Sequence, residues 1–283
     1  MRVILSRKGF DSTAGGFPSL IFPDGTLFSI PIPSSNDRLT YTDLPFEYEG
    51  EPIHQVLNDI TNKRIVNSKS YDCDYSAGRQ RCHFDPMPIS VDGKDMIALG
   101  QVGSSEGHLR NQGVCIGDLF LFYGWYKPVI KVEGKWQYDY SQNDVHQVWA
   151  CMTIGERLEI DKYEQEVEVL NRYPWLTCHP HIGDKDVSRN CIYLSKKGRF
   201  FSYSDKRCLT DTKNYQGRSI WRLPRCFNQP QAFSYLKNFS LDGEDVVVSY
   251  RGYGQEFVLD LDKVTLDEER ESIVNYLAEI QVE

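Results

Sequence analysis

His108-Leu-Arg-Asn-Gln-Gly-Val-Cys-Ile-Gly117-Asp118-Leu-Phe-Leu-Phe-Tyr-Gly-Trp-Tyr126 and, after a polar gap, His146-Gln-Val-Trp-Ala-Cys-Met-Thr-Ile154-Gly155-Glu156 decide the reading of this 283-residue chain. Each run opens beside hydrogen-bonding side chains and continues through aromatic and aliphatic residues, as strands do. The two runs therefore read as paired strands anchored by Phe120, Phe122, Val148, Trp149 and Ile154, with residues 127–145 as a polar hairpin or loop between them. Polar groups at the mouth of an apolar strand pair are how small binding pockets are built.

Outward from this pair, Pro23-Asp24-Gly25 separates two short apolar runs, 19–22 and 26–30, and predicts a hairpin that Pro31 and Pro33 end. Ile53, Val56, Leu57 and Ile60 recur at helical spacing. Residues 63–98 read as loop with short strands, 161–172 as containing a helix, and 190–194 as a short strand. A second hairpin is predicted from 245–250 and 255–260 around Gly252-Tyr253-Gly254. A closing helix spans about 266–281, with a Thr265/Glu268 capping box and a stripe of Leu266, Ile273, Val274, Leu277 and Ile280. Together these predict one α+β domain over 1–283, strand-rich with few helices.

Hydrophobic residues make up 40% and aromatics 13%, enough for a substantial core. No run approaches the roughly 18 apolar residues of a membrane helix, and the first residues are too briefly apolar for a secretory signal. A cytoplasmic protein without membrane contact is expected. The eight cysteines, from Cys73 to Cys226, form no C-x-x-C pair and read as buried thiols. Cys82-His83 and Cys178-His179-Pro180-His181 match no zinc spacing, so no metal site is assigned.

Charge is unevenly spread. Residues 185–225 hold eleven basic residues against three acidic ones, a local +8, and the formal −8 of the whole chain leaves −16 elsewhere. Tyr193, Phe200, Phe201, Tyr203, Tyr215 and Trp221 interleave with the cations. Cations neutralise phosphates and rings stack on exposed bases, so the window, Arg222 included, is a candidate nucleic-acid footprint. The alternative is rings turned to the core and charges turned to water.

The first polar constellation is Arg7, Lys8, Asp11 and Ser12 with Gly15 and Gly16, a loop able to cradle phosphate but without Walker spacing. A local turn held by Asp11 and Ser12 is the alternative. The second is His108, Arg110, Asn111 and Gln112. It offers an acid–base imidazole and bidentate donors, with Gln101, Glu106, Gly103 and Gly107 as one wall. His146, His179, His181 and Asn190 are further candidates, and Asp85 reads as a loop cap.

Ile4-Leu-Ser-Arg-Lys-Gly-Phe-Asp-Ser12, Gly107-His-Leu-Arg-Asn-Gln-Gly113, Gly117-Asp-Leu-Phe-Leu-Phe122, Pro174-Trp175, His179-Pro-His181 and Trp221-Arg-Leu-Pro224 resemble the third nucleotide-modification-associated domain family. That resemblance implies a role in nucleic-acid base modification, with DNA or a nucleotide as partner and other base-modification enzymes as company. It carries over Arg7, Lys8, Asp11, His108, Arg110, Asn111, His179 and His181 as site residues. The centre, roughly 100–195, also resembles PUA-like β-barrels, which bind RNA or modified bases. No redox or nucleotide-triphosphate motif is visible, so the cofactor is left unassigned. The leading expectation is a base-modifying protein using His108 or Asp11 as acid–base. The rivals are a non-catalytic reader of modified bases and a metal-dependent hydrolase or lyase using His179 and His181.

Overall fold

The computed structural model describes residues 1–62, 80–91, 93–183, 188–249 and 256–282. In chain order its strands are β1 (Arg2–Arg7), β2 (Ser19–Ile21), β3 (Leu27–Phe28), β4 (Ile32–Ser34), β5 (Glu47–Tyr48), β6 (Glu51–Pro52), β7 (Arg81–His83), β8 (Met87–Val91), β9 (Lys94–Gln101) and β10 (Leu119–Val132). There follow β11 (Lys135–Tyr138), β12 (Val145–Glu159), β13 (Cys191–Phe200), β14 (Ile220–Pro224), β15 (Phe239–Asp242), β16 (Asp245–Ser249) and β17 (Phe257–Asp260). The helices are α1 (Ile53–Thr61), α2 (Gly103–Asn111), α3 (Tyr163–Arg172) and α4 (Asp267–Val282). The architecture is the expected strand-rich α+β.

The main sheet runs β17-β1-β10-β12-β13-β9-β8. Its centre is the expected pair, β10 and β12, antiparallel from Leu119↔Thr153 to Tyr126↔Val145. All five expected anchors are buried. Successive side chains enter two apolar layers: Val3, Leu5, Leu119 and Leu121 one, Ile4, Phe120 and Phe122 the other. The first layer is covered by Trp221 and Val248 of the small β14-β16-β15 sheet and by Ile273, Leu277 and Ile280 of α4. A sheet covered on both faces needs unbroken apolar strands, which is why these runs do not alternate.

Two irregularities prepare the site. β1 and β2 both run parallel to β10, with Arg7 opposite Tyr123 and Ser19 opposite Tyr126. Residues 8–18 thus leave the sheet over a gap of only Gly124 and Trp125, and a Cβ on Gly124 would fall 2.8 Å from the Lys8 carbonyl. In the β10–β12 ladder Phe122 faces Ala150 and Tyr123 faces Val148, so Trp149 is the extra residue of a bulge. A bulge re-aims the side chain it carries.

Several expectations are corrected. The pairing of 245–250 with 255–260 does not form: β16 lies between β14 and β15, and β17 pairs with β1. The strand at 257–260 is buried throughout and belongs in the main sheet, whereas β16 has one buried face. The turn Gly252–Gly254 lies outside the described residues, as do Cys73 and Lys185. Residues 103–111, read as a loop wall and a polar cluster, are helix α2. Leu266 and Val274 do not join the α4 stripe and are 58% and 41% exposed. The main sheet is a curled half-barrel that draws β1 and β17 from outside 100–195. The 19–22/26–30 hairpin, the helix at 53–60, the connecting hairpin and the helix within 161–172 form as expected. Among the described residues no helix is long and apolar enough to cross a membrane.

Candidate active site

Lys8 is the first residue beyond β1, and its Nζ donates to Asp85 Oδ2 at 3.2 Å. Asp85 lies between β7 and β8, and its Oδ1 accepts from Gly100 N at 2.7 Å. β8 stops pairing with β9 at Met87↔Ala98, so the carboxylate takes over the strand edge where the ladder runs out. His179 and His181 follow the 3₁₀ turn Pro174–Cys178, and His179 Nε2 stands 3.6 Å from Asp85 Oδ1. The His181 ring packs against Gly100, where a Cβ would fall 2.1 Å away. His83 of β7 adds its ring 5.3 Å from that of His181. Buried Glu256, which accepts from Gln101 Nε2 at 2.6 Å, feels the charges of both Lys8 and Asp85.

Hydrogen bonds fix the proton on each ring. His181 Nδ1 is 2.8 Å from Asn190 Oδ1, and Asn190 Nδ2 donates to the His181 carbonyl, so the amide oxygen must face the ring. His83 Nδ1 meets the acceptor-only carboxylate of Asp37 at 2.9 Å. Both rings therefore carry hydrogen on Nδ1 and, when neutral, a lone pair on Nε2. His179 is the reverse, because its Nδ1 accepts from His181 N at 3.2 Å and leaves Nε2 as the donor.

Burial and charge set the ionisation. Burial opposes ionisation of Asp85, but Lys8 and the imidazoles of His181, His179 and His83 outweigh it and bring the carboxyl down to about 2. Burial pushes His179 down to about 3 against the pull of Asp85, and lowers His181 in the same way. It raises Glu256 against the attraction of Lys8. At neutral pH Asp85 is ionised and His179 and His181 are neutral.

Asp85 also contributes to the wall of a cavity of about 320 Å³, otherwise lined mostly by Phe28, Phe46, Phe84, Trp149, Phe200 and Phe201 together with prolines. Trp149 and Phe200 stack at 5.9 Å and 28°, and Phe28 and Phe46 meet at 4.6 Å. The bulge places Trp149 here. Phe200 is 45% exposed, which leaves this wall open to solvent. A flat, ring-lined space of this size beside one buried carboxylate suits an aromatic ligand with a polar edge.

Of the residues singled out in the sequence, the fold brings together Lys8, His179, His181 and Asn190. The rest of the N-terminal loop stands elsewhere. Asp11 Oδ1 accepts from Thr13 N, Thr13 Oγ1 and Ala14 N, each at 2.7 Å, and Oδ2 pairs with Arg7 at 3.0 Å. Ser12 Oγ accepts from Arg218, which stacks 4.1 Å over Trp125 and pairs with Asp144. Gly15 and Gly16 take φ of +92° and +79°, and the Phe10 ring occupies the space a Gly15 side chain would need.

His108 Nε2 lies 3.1 Å from Ser234 Oγ with its ring against Tyr235, and burial holds it below its ordinary value. Arg110 is matched to Glu106, Glu159 and Asp161, while Asn111 is exposed and Gln112 half-buried at the end of α2. His146 is buried, accepts from Trp221 Nε1 at 2.9 Å, and is pushed by burial down to about 3. Arg222 meets Asp211, Asp242 and Asp245. Elsewhere in the basic window Lys206 pairs with Glu279, Lys213 with Asp245, and Arg199, Arg207 and Arg225 bond main-chain carbonyls. Tyr193, Phe201 and Trp221 are buried, and Lys196, Lys197 and Phe200 are exposed.

Reading the sequence missed Asp37, Glu256 and the role of Trp149 as a wall, and left the Cys82-His83 group unassigned. The His83-Phe84-Asp85 spacing was the available signal, since alternate residues of an extended chain share a face.

The fold and site describe a strand-rich α+β protein whose buried titratable cluster shares one residue, Asp85, with a ring-lined cavity. The chain belongs to the family described as nucleotide modification associated domain 3, which it matches over residues 2–260. No curated protein and no solved structure matches it, and the PUA-like likeness gains no support. The family's description places the chain with nucleotide modification.

Proposed function

We propose that the protein is a nucleobase-modifying enzyme that stacks its base in the ring-lined cavity and works on the base's polar edge with the Lys8–Asp85–His181 cluster. The observation that carries this is the sharing of Asp85: the residue lines the cavity and its carboxylate belongs to the buried titratable cluster. Trp149 and Phe200 would hold the plane of the base, and stacking of this kind contributes about 1–3 kcal/mol per base. Lys8 keeps Asp85 ionised, and a carboxylate accepts hydrogen bonds from exocyclic amino or ring N–H groups. His181 Nε2, held by Asn190, is the neutral acceptor for a proton leaving the base. Asp11, bound within its own turn, and His108, bound to Ser234, take no part in this cluster. The DNA setting and partner enzymes come from the family resemblance.

Two variants test this. Phe200→Ala removes an exposed ring and should weaken nucleoside binding, followed by quenching of tryptophan fluorescence, by about tenfold or more. Asp85→Asn should abolish the modified nucleoside in mass spectra of cellular DNA. Unchanged affinity in the first, or an undiminished product in the second, would remove the cavity from the reaction. Retained base binding by wild type with no modified nucleoside in any cell bearing the gene would make the protein a reader.

A further inference from the structure

The geometry of the three imidazoles points beyond acid–base chemistry. We propose that His83 Nε2, His181 Nε2 and an oxygen of Asp85 form a binding site for one divalent first-row transition ion of the zinc or iron(II) type. One ring nitrogen of each histidine and a carboxylate oxygen of Asp85 lie within 4.8 Å of one another. Ligand atoms at about 2.0–2.2 Å from a shared ion stand at most about 4.4 Å apart, so the three need to close by only about half an ångström. The ligand set, two imidazoles and one carboxylate, is the kind that leaves coordination positions open.

Four further observations support the site. The outer nitrogen of each ligand ring is already engaged: His83 Nδ1 with the Asp37 carboxylate and His181 Nδ1 with Asn190 Oδ1. Metal-binding histidines are held in this way, with the second nitrogen's proton given to a carboxylate or carbonyl. Carboxyl groups also gather here: Asp85 pairs with Lys8, Asp37 with His83, and buried Glu256 faces both Lys8 and Asp85. Each Asp85 oxygen has accepted one hydrogen bond and keeps a second lone pair for an ion. His83 is 29% exposed, so an ion can enter from that side.

His179 is excluded from the ligand set despite its place beside Asp85. Its Nδ1 accepts from the His181 main chain, so its Nε2 carries the proton. That nitrogen stands 3.6 Å from Asp85 Oδ1, beyond hydrogen-bond reach, and offers no lone pair to an ion. The site is thus His83/Asp85/His181 and differs from the His179/His181 pairing that the sequence invites. An ion held there would take the lone pair of His181 Nε2, so ion binding and proton uptake by that ring are alternatives.

The test uses the full chain, stripped with chelator and titrated with Co(II) in the absence of nucleotide, read by visible d–d absorption and elemental stoichiometry. One Co(II) per chain is expected. His83→Gln and His181→Gln should each weaken binding at least tenfold, and Asp37→Asn by about 10–100-fold through loss of the ring's anchor. His179→Gln and Phe200→Ala should leave it unchanged. Should His181→Gln fail to fold, His83→Gln, on a part-exposed ring, decides alone. A chain that takes up no saturable Co(II), or a site that survives His83→Gln, overturns the proposal. Because nucleotide is absent, that result stands apart from whether the cavity binds a base.

Discussion

His83, His179 and His181 share one side chain and differ in what their Nδ1 atoms meet: a carboxylate, a main-chain N–H and an amide oxygen. Their chemistry follows from those contacts. His146 shows the same logic in the core. Burial keeps it neutral, at about 3 against an ordinary 6.5, and its Nδ1 accepts from Trp221. The unfolded chain takes up that proton near pH 6.5 and the folded one only near pH 3, so stability is full above pH 6.5 and falls as pH drops through this window. The limiting loss is about 1.4 kcal/mol per pH unit. Urea unfolding at pH 7.5 and pH 5 should show wild type losing about 2 kcal/mol more than His146→Gln. Equal losses would mean the imidazole titrates as freely folded as unfolded.

Among elements, α2 is tied to the sheet by one side chain. Glu106 is fully buried, with Oε1 accepting from Arg110 and Arg157 and Oε2 from Tyr193, each at 2.8 Å. Glu106→Ala strands two guanidiniums and a phenol, and should lower unfolding free energy by about 3–5 kcal/mol, with Glu106→Gln recovering part. A loss under about 1 kcal/mol in chemical denaturation would show that water satisfies those groups. α2 also marks a limit of sequence reading. Only Glu106, Gly107 and Leu109 of its nine residues are buried, so it has no apolar stripe to betray its period. β10 and β12 were legible because both faces of the sheet are covered and their runs are unbroken. β17 was not, because its partner β1 lies some 250 residues away and local turn residues favoured a nearer strand.

Across the whole molecule, the charge map of the sequence changes meaning once folded. Part of the +8 window is paired with carboxylates brought from distant segments, such as Asp144, Asp242 and Glu279, and Arg199, Arg207 and Arg225 are tied to main-chain carbonyls. Duplex DNA binding should therefore show a shallow dependence of log K on log salt, with a slope magnitude below about 3, rather than the steep one that eleven free cations would give. A slope near 8 in a fluorescence titration would restore a broad phosphate contact. The candidate site was half visible in sequence: Lys8, His179, His181 and Asn190 stood out as polar clusters. Asp85 read as a loop cap and His83 as half of a Cys-His pair without zinc spacing, and only the edge of β9 gives them their role.

That edge has a further effect. The Asp85 carboxylate serves as the last rung beyond Met87↔Ala98, holding the amide of Gly100. Any guest that draws the carboxylate toward itself must loosen this rung, while one that merely stacks on the rings leaves it intact. Deuterium uptake at a single backbone position thus becomes a gauge of which chemistry is happening a few ångströms away.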